Sequence, residues 1–286
     1  MSRFRTWLRP LAAALLLASA AQAETQPTPA AVPEALRGAW FTGACADPEA
    51  MLLLTARAAA RLEAQEPARL YRFRQIRVQE GWTIGTAGGA EAPRLMLRPT
   101  AQGLETAEPE AKLREDRLPG DSVVAPWHRC PAPPVALAAV HGEGAAFLAA
   151  LEHLEEGCGS GTPGACAAAI VAQADVSGDG RLSVAELARL LRGAAWVVAV
   201  QEGATQDGVA AAVGAGGLAG ILAARLLMES LDYDGDGRIS AAELAQDRVG
   251  FATAPGTAAG RPLRMDGVTE GAGMLRGLLE GLADWR

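Results

Sequence analysis

Two twelve-residue stretches, starting 57 residues apart, restrict what this chain can fold into. The first is Asp175-Val176-Ser177-Gly178-Asp179-Gly180-Arg181-Leu182-Ser183-Val184-Ala185-Glu186. The second is Asp232-Tyr233-Asp234-Gly235-Asp236-Gly237-Arg238-Ile239-Ser240-Ala241-Ala242-Glu243. Both place Asp at positions 1 and 5, Gly at 4 and 6, Arg at 7, an apolar residue at 8, Ser at 9 and Glu at 12. Gly180 and Gly237, at position 6, permit a sharp turn, because a residue without Cβ enters left-handed backbone space at little cost.

The pattern resembles the EF-hand calcium loop at every position that carries chemistry. Ca²⁺ is a hard cation that takes six to eight oxygens at about 2.3–2.6 Å. The resemblance implies side-chain oxygens from Asp175, Ser177 and Asp179 in loop one, and from Asp232, Asp234 and Asp236 in loop two. Arg181 and Arg238, at position 7, would offer backbone carbonyls, so their side chains are expected to do no harm. Ser183 and Ser240 would act through a water, and Glu186 and Glu243 would reach back with both oxygens. Loop two brings four acids and loop one three, so tighter binding is expected at loop two. Leu182 and Ile239, at position 8, are expected to pair in a short β contact that couples the loops.

Helical spacing flanks both loops. Ala167, Ile170, Val171 and Ala174 precede loop one on one face, and Leu187, Leu190 and Leu191 follow it. Ala224, Leu227, Met228 and Leu231 precede loop two. Its exit side is poorer: Leu244 fits, but Asp247 and Arg248 stand where apolar residues are usual, with Val249 and Phe251 as substitutes. The segment between the loops is longer than in tightly coupled EF-hand pairs. It contains Trp196-Val197-Val198-Ala199-Val200 and an uncharged run at 208–224. That run is rich in Ala and Gly and short for a membrane span. It reads as a buried helix or helical hairpin, in which Gly214, Gly216, Gly217 and Gly220 permit close helix contact.

Residues 1–23 have the form of a secretory signal. Arg3, Arg5 and Arg9 precede an apolar run at 11–18, and Ala21-Gln22-Ala23 is a small-x-small cleavage site. Periplasmic or secreted localisation is therefore expected. Without those three arginines, 23 basic residues face 33 acidic ones, a net charge of −10. An acidic chain without a basic stripe is a poor nucleic-acid binder. Four cysteines in an exported chain suggest two disulfides. Three pairings are open, and Cys45–Cys130 with Cys158–Cys166 is favoured. The first would close an N-terminal domain end to end, and the second would staple a short Gly-rich turn. In the loop-entropy model these bridges contribute about 4.6 and about 2.6 kcal/mol.

Residues 24–33 read as a flexible leader rich in Pro, Thr and Ala. From 34 to 130 the chain reads as a small β-rich domain, with runs at 39–45, 49–62, 69–79, 81–86, 94–99, 104–107 and 123–127. The stretch 55–61 fits a helix equally well. Short strands at this spacing suggest a small antiparallel barrel or sandwich. Gly38-Ala39-Trp40 is similar to the Gly-x-Trp of lipocalin-like barrels, over those three residues alone; a Trp plugging the end of any small barrel reads the same way. Pro131-Ala132-Pro133-Pro134 is a stiff linker. From 135 to 286 the pattern is helical, with Phe147, Leu148, Leu151 and Leu154 on one face of a helix that ends at the turn between Cys158 and Cys166. At 268–286, Met274, Leu275, Leu278, Leu279 and Leu282 mark an amphipathic helix that fills the calcium lobe's groove or binds a partner.

The expected fold class is α+β: a small antiparallel β barrel or sandwich, then an α-helical EF-hand pair domain. The expected function is calcium binding at two sites, with calcium structural or regulating a protein contact. The alternative is a barrel that binds a ligand or a protease, with calcium in support. His128, His141 and His153 are the only histidines, and none has two-His metal spacing. With no Gly-x-Ser-x-Gly elbow and no phosphate loop, an enzyme is not expected.

Overall fold

The structure is a computed structural model. It describes residues 31–249, apart from 90, 115, 116, 160 and 161. The signal segment, most of the leader and the amphipathic stretch at 268–286 lie outside the described residues.

The first half is an eight-stranded antiparallel sheet in simple sequence order. Its strands are β1 (Gly38–Ala44), β2 (Asp47–Leu54), β3 (Ala58–Glu63), β4 (Arg69–Gln79), β5 (Trp82–Ala87), β6 (Arg94–Thr100), β7 (Gly103–Ala107) and β8 (Val124–Trp127). One bridge, Phe41 to His128, joins β1 to the residue after β8 and brings the sheet close to a closed barrel. The backbone N–H of each residue donates to the carbonyl of the other, at 2.8 and 2.9 Å. The Cys45–Cys130 disulfide lies beside this seam.

Alternation decides which side chains fill the barrel. Trp40, Leu52, Leu54, Tyr71, Phe73, Leu95, Leu97, Leu104 and Trp127 form one buried cluster. The interior is thus packed with side chains. Gly85 leaves the space taken by the Phe73 ring, since a Cβ there would lie 2.4 Å from it. Trp40 plugs one end: its Nε1 donates to the Leu36 carbonyl at 2.7 Å, and Arg129 stacks over its ring at 4.2 Å.

The run read as 49–62 is two strands, not one. Thr55 starts the turn between them, with its hydroxyl accepting the Ala58 N–H at 3.0 Å. The sequence blurs this break because Met51-Leu52-Leu53-Leu54 and Ala58-Ala59-Ala60 are buried on both faces. A strand covered on both sides loses the alternation that marks a half-exposed one.

The cover on the outer face is the helical half. Its helices are α1 (Val135–Gly159), α2 (Pro163–Ala174), α3 (Val184–Gln201), α4 (Gln206–Leu231) and α5 (Ala241–Val249), and each loop adds a two-residue strand, β9 (Arg181–Leu182) and β10 (Ile239–Ser240). Phe41, Met51, Leu53, Ala58, Ala60 and Leu62 from the sheet share one cluster with Leu148, Trp196, Val197, Val200 and Val209 from the helices. Glu152 of α1 adds a polar tie, accepting the Arg57 N–H at 2.6 Å and the Thr55 hydroxyl.

One detail agrees with the sequence reading and one differs. Helix α1 runs from 135 and ends at the turn between Cys158 and Cys166, whose bridge joins it to α2, as expected. The uncharged run is neither a hairpin nor fully buried. It lies in one 26-residue helix, α4, with Leu218 and Leu222 exposed at 77% and 67%. Among the described residues only one face of α4 is covered, through Val209, Gly220, Ala224, Met228 and Leu231. By length and composition α1 and α4 could each cross a membrane. Here each packs one face against neighbouring helices. Gly216 and Gly220 do lie close to α3, whereas a Cβ at Gly214 or Gly217 would meet nothing among the described residues.

Candidate metal centre

Each loop is bounded by helices as its sequence requires: α2 and α3 flank the first, α4 and α5 the second. Thr162 and Thr205 cap the entering helices, their hydroxyls accepting the N–H of Ala165 and Gly208. Inside the loops, Gly180 and Gly237 both take φ +78°, the left-handed turn that their position demands.

The ligand candidates converge. In loop two, one carboxylate oxygen from each of Asp232, Asp234 and Asp236 lies within 4.8 Å of the others. Asp232 is held by N–H groups of its own loop: Oδ1 accepts from Gly235 at 2.8 Å and Oδ2 from Gly237 at 2.8 Å. Asp175 repeats this in loop one, accepting from Gly178 at 2.6 Å and Gly180 at 2.7 Å. Ser177 donates its hydroxyl to Asp175 at 3.1 Å. These bonds hold the Asp175 carboxyl below its ordinary value, the Gly180 N–H contributing most.

The glutamates at position 12 fold back over the loops. Glu186 Oε1 accepts from the N–H groups of Val176 and Ser177, both at 2.9 Å. Glu243 Oε1 accepts from Tyr233 at 2.9 Å and Asp234 at 3.3 Å. Both glutamates are buried. Burial alone pushes the Glu186 carboxyl up, but hydrogen bonds from Ser183 and Ser177 outweigh it and bring it to about 2. Glu243 is also lowered, by the bonds from Ser240, Asp234 and Tyr233 acting against burial. Both carboxylates are therefore ionised and aimed at the start of their loops, which fits a hard divalent cation.

The serines at position 9 have a role that the sequence reading did not give them. Ser183 caps α3 in a capping box: its hydroxyl accepts the Glu186 N–H, and the Glu186 carboxylate accepts the Ser183 N–H at 2.8 Å. Ser240 and Glu243 repeat these bonds at the start of α5. The arginine side chains at position 7 are likewise not idle. Arg181 pairs with Asp236, and Arg238 pairs with Asp179, each across to the other loop.

The loops pack against each other. Leu182 and Ile239 are register partners in the antiparallel ladder of β9 and β10. Beneath it Val171, Ala174, Leu187, Ala224, Met228 and Leu231 form a common core. With Ile170, Leu190, Leu191 and Leu227 packed against it, this core contains the inward faces expected on both sides of loop one and before loop two, apart from Ala167. The exit side of loop two contributes Leu244, partly buried; Phe251 lies outside the described residues, as do the side chains from 247 to 249.

Two helix–loop–helix units are joined by a two-residue ladder, and in the second the three aspartates converge on one point, the arrangement of a divalent-cation site. A family model for the EF hand matches the chain at two places, residues 172–191 and 225–246, which are these two units. Comparison with the curated proteins and with the solved structures gives no match.

Proposed function

We propose that this chain is an exported, non-enzymatic protein that binds two calcium ions, one per loop, and that the ions hold its helical half folded against the barrel. The supporting observation is the anchoring of α3. The helix starts at the Glu186 end of loop one and finishes with Trp196, Val197 and Val200 buried against the sheet. Helix α4 is fixed likewise, through Val209 at one end and Met228 and Leu231 at the other. Helices held at both ends favour a structural ion over one that swings them apart. An affinity of 10⁻⁴–10⁻³ M, roughly that of extracellular modules, suffices for this role.

A calcium titration followed by circular dichroism and by the thermal midpoint tests the reading. Calcium is expected to raise helicity and midpoint, with part of the gain lost in Glu186→Gln and part in Glu243→Gln. A wild-type chain that responds in neither signal would refute it. Export is checked by the N-terminus of the secreted protein, expected at Glu24.

The reading in which calcium regulates a protein contact has one observation in its favour: the exposed stripe of Leu218, Ile221, Leu222 and Leu226 on α4, the helix that enters loop two. Calcium-dependent binding of an apolar dye without helix gain would favour that reading. The packed barrel interior counts against a small-ligand role.

A further inference from the structure

The guanidinium at position 7 of each loop reaches the carboxylate at position 5 of the other, Arg181 to Asp236 and Arg238 to Asp179. Inside each loop the position-5 carboxylate is already half committed. Asp179 Oδ1 accepts the Arg181 N–H at 3.0 Å, and Asp236 Oδ1 accepts the Arg238 N–H at 2.9 Å. In both, the second oxygen, Oδ2, faces the arginine from across the ladder. Each arginine thus serves its own loop through its backbone and the opposite loop through its side chain.

We infer that Arg181 and Arg238 set the calcium affinity of the opposite loop, each acting as a resident competitor for that loop's position-5 aspartate. The inference rests on the calcium reading above. An incoming ion and a guanidinium draw on the same carboxylate and repel each other, so the pair must loosen when the ion enters. The effect runs crosswise because each side chain points away from its own loop. Arg181 therefore opposes binding at the more acidic loop two, and Arg238 at loop one. The paired side chains are between 31% and 43% exposed, so solvent screens them. The expected change per loop is about two- to fivefold in affinity.

The test uses calorimetric calcium titration of the full chain at low salt. Glu243→Gln leaves loop one to be measured alone, and Glu186→Gln leaves loop two. Arg238→Gln is expected to tighten loop one about two- to fivefold and leave loop two unchanged; Arg181→Gln is expected to do the reverse. Both gains should shrink at high sodium chloride, and Arg→Lys at either position should stay near wild type. Circular dichroism establishes that each variant is folded. Unchanged affinity, or a change confined to the substituted residue's own loop, overturns the inference and leaves the calcium reading standing. A wild-type chain that takes up no calcium overturns both.

Discussion

Leu182 and Ile239 stand opposite each other in the ladder between the loops, and neither has any exposed surface. The contact links two stretches that are far apart in sequence, and it lies over the core shared by α2, α3 and α4. Truncating one partner leaves a cavity at the point where the loops meet. Ile239→Ala is expected to lower the free energy of unfolding by about 2–5 kcal/mol. Denaturant unfolding measures it, and a loss under about 1 kcal/mol would mean that the ladder is not sealed from water.

Helices α1 and α3 approach closely at a glycine. A Cβ on Gly144 would lie 2.1 Å from the Trp196 indole, a side chain with no exposed surface. The ring cannot move aside without disturbing the cluster that seats the helices on the sheet. Gly144→Ala is expected to cost about 1–3 kcal/mol, as overpacking does. Gly142, one turn-half earlier on the same helix, has open space around it. Gly142→Ala should be neutral or stabilising by up to about 1 kcal/mol, so the thermal midpoint should fall in Gly144→Ala and not in Gly142→Ala.

The same tryptophan makes stability depend on pH. Trp196 Nε1 donates to His141 Nδ1 at 3.0 Å, so the buried imidazole must stay neutral to accept. Burial lowers its pKa to about 4. In the unfolded chain it would titrate near ~6.5. Below that value the unfolded chain takes up a proton that the folded form refuses, so stability is full above about pH 6.5 and falls until about pH 4, by about 3 kcal/mol at most. Thermal midpoints between pH 7 and pH 4 should trace this loss, and His141→Gln, which keeps an acceptor for Trp196, should flatten the curve.

Most of what was legible in the sequence is fixed by short-range spacing: the twelve-residue loop pattern, the Cys158–Cys166 bridge and most strands depend on residues a few positions apart or on an alternation along one segment. The Leu182–Ile239 contact and the Cys45–Cys130 bridge are long-range, and were legible because the two loops repeat one pattern and because the two cysteines stand at the ends of the β-rich region. What the sequence reading missed depends on tertiary neighbours. The break at Thr55 is hidden because α1 and α3 cover the outer face of β2 and β3, so their apolar residues show no period of two. Helix α4 reads as buried by composition, yet only one of its faces meets α3. The arginine pairs are invisible for a different reason: within either loop, position 7 shows only a carbonyl's role, and the partner aspartate lies in the other loop.

The Cys45–Cys130 bridge has a topological consequence. It joins residues 85 apart at the barrel seam, so nearly the whole sheet is a covalent ring from which the helical half hangs. A single cut anywhere in the ring leaves every fragment tethered to the rest. A protease would therefore need two cuts, or one cut and a reductant, before any piece of β2 to β8 could leave the molecule.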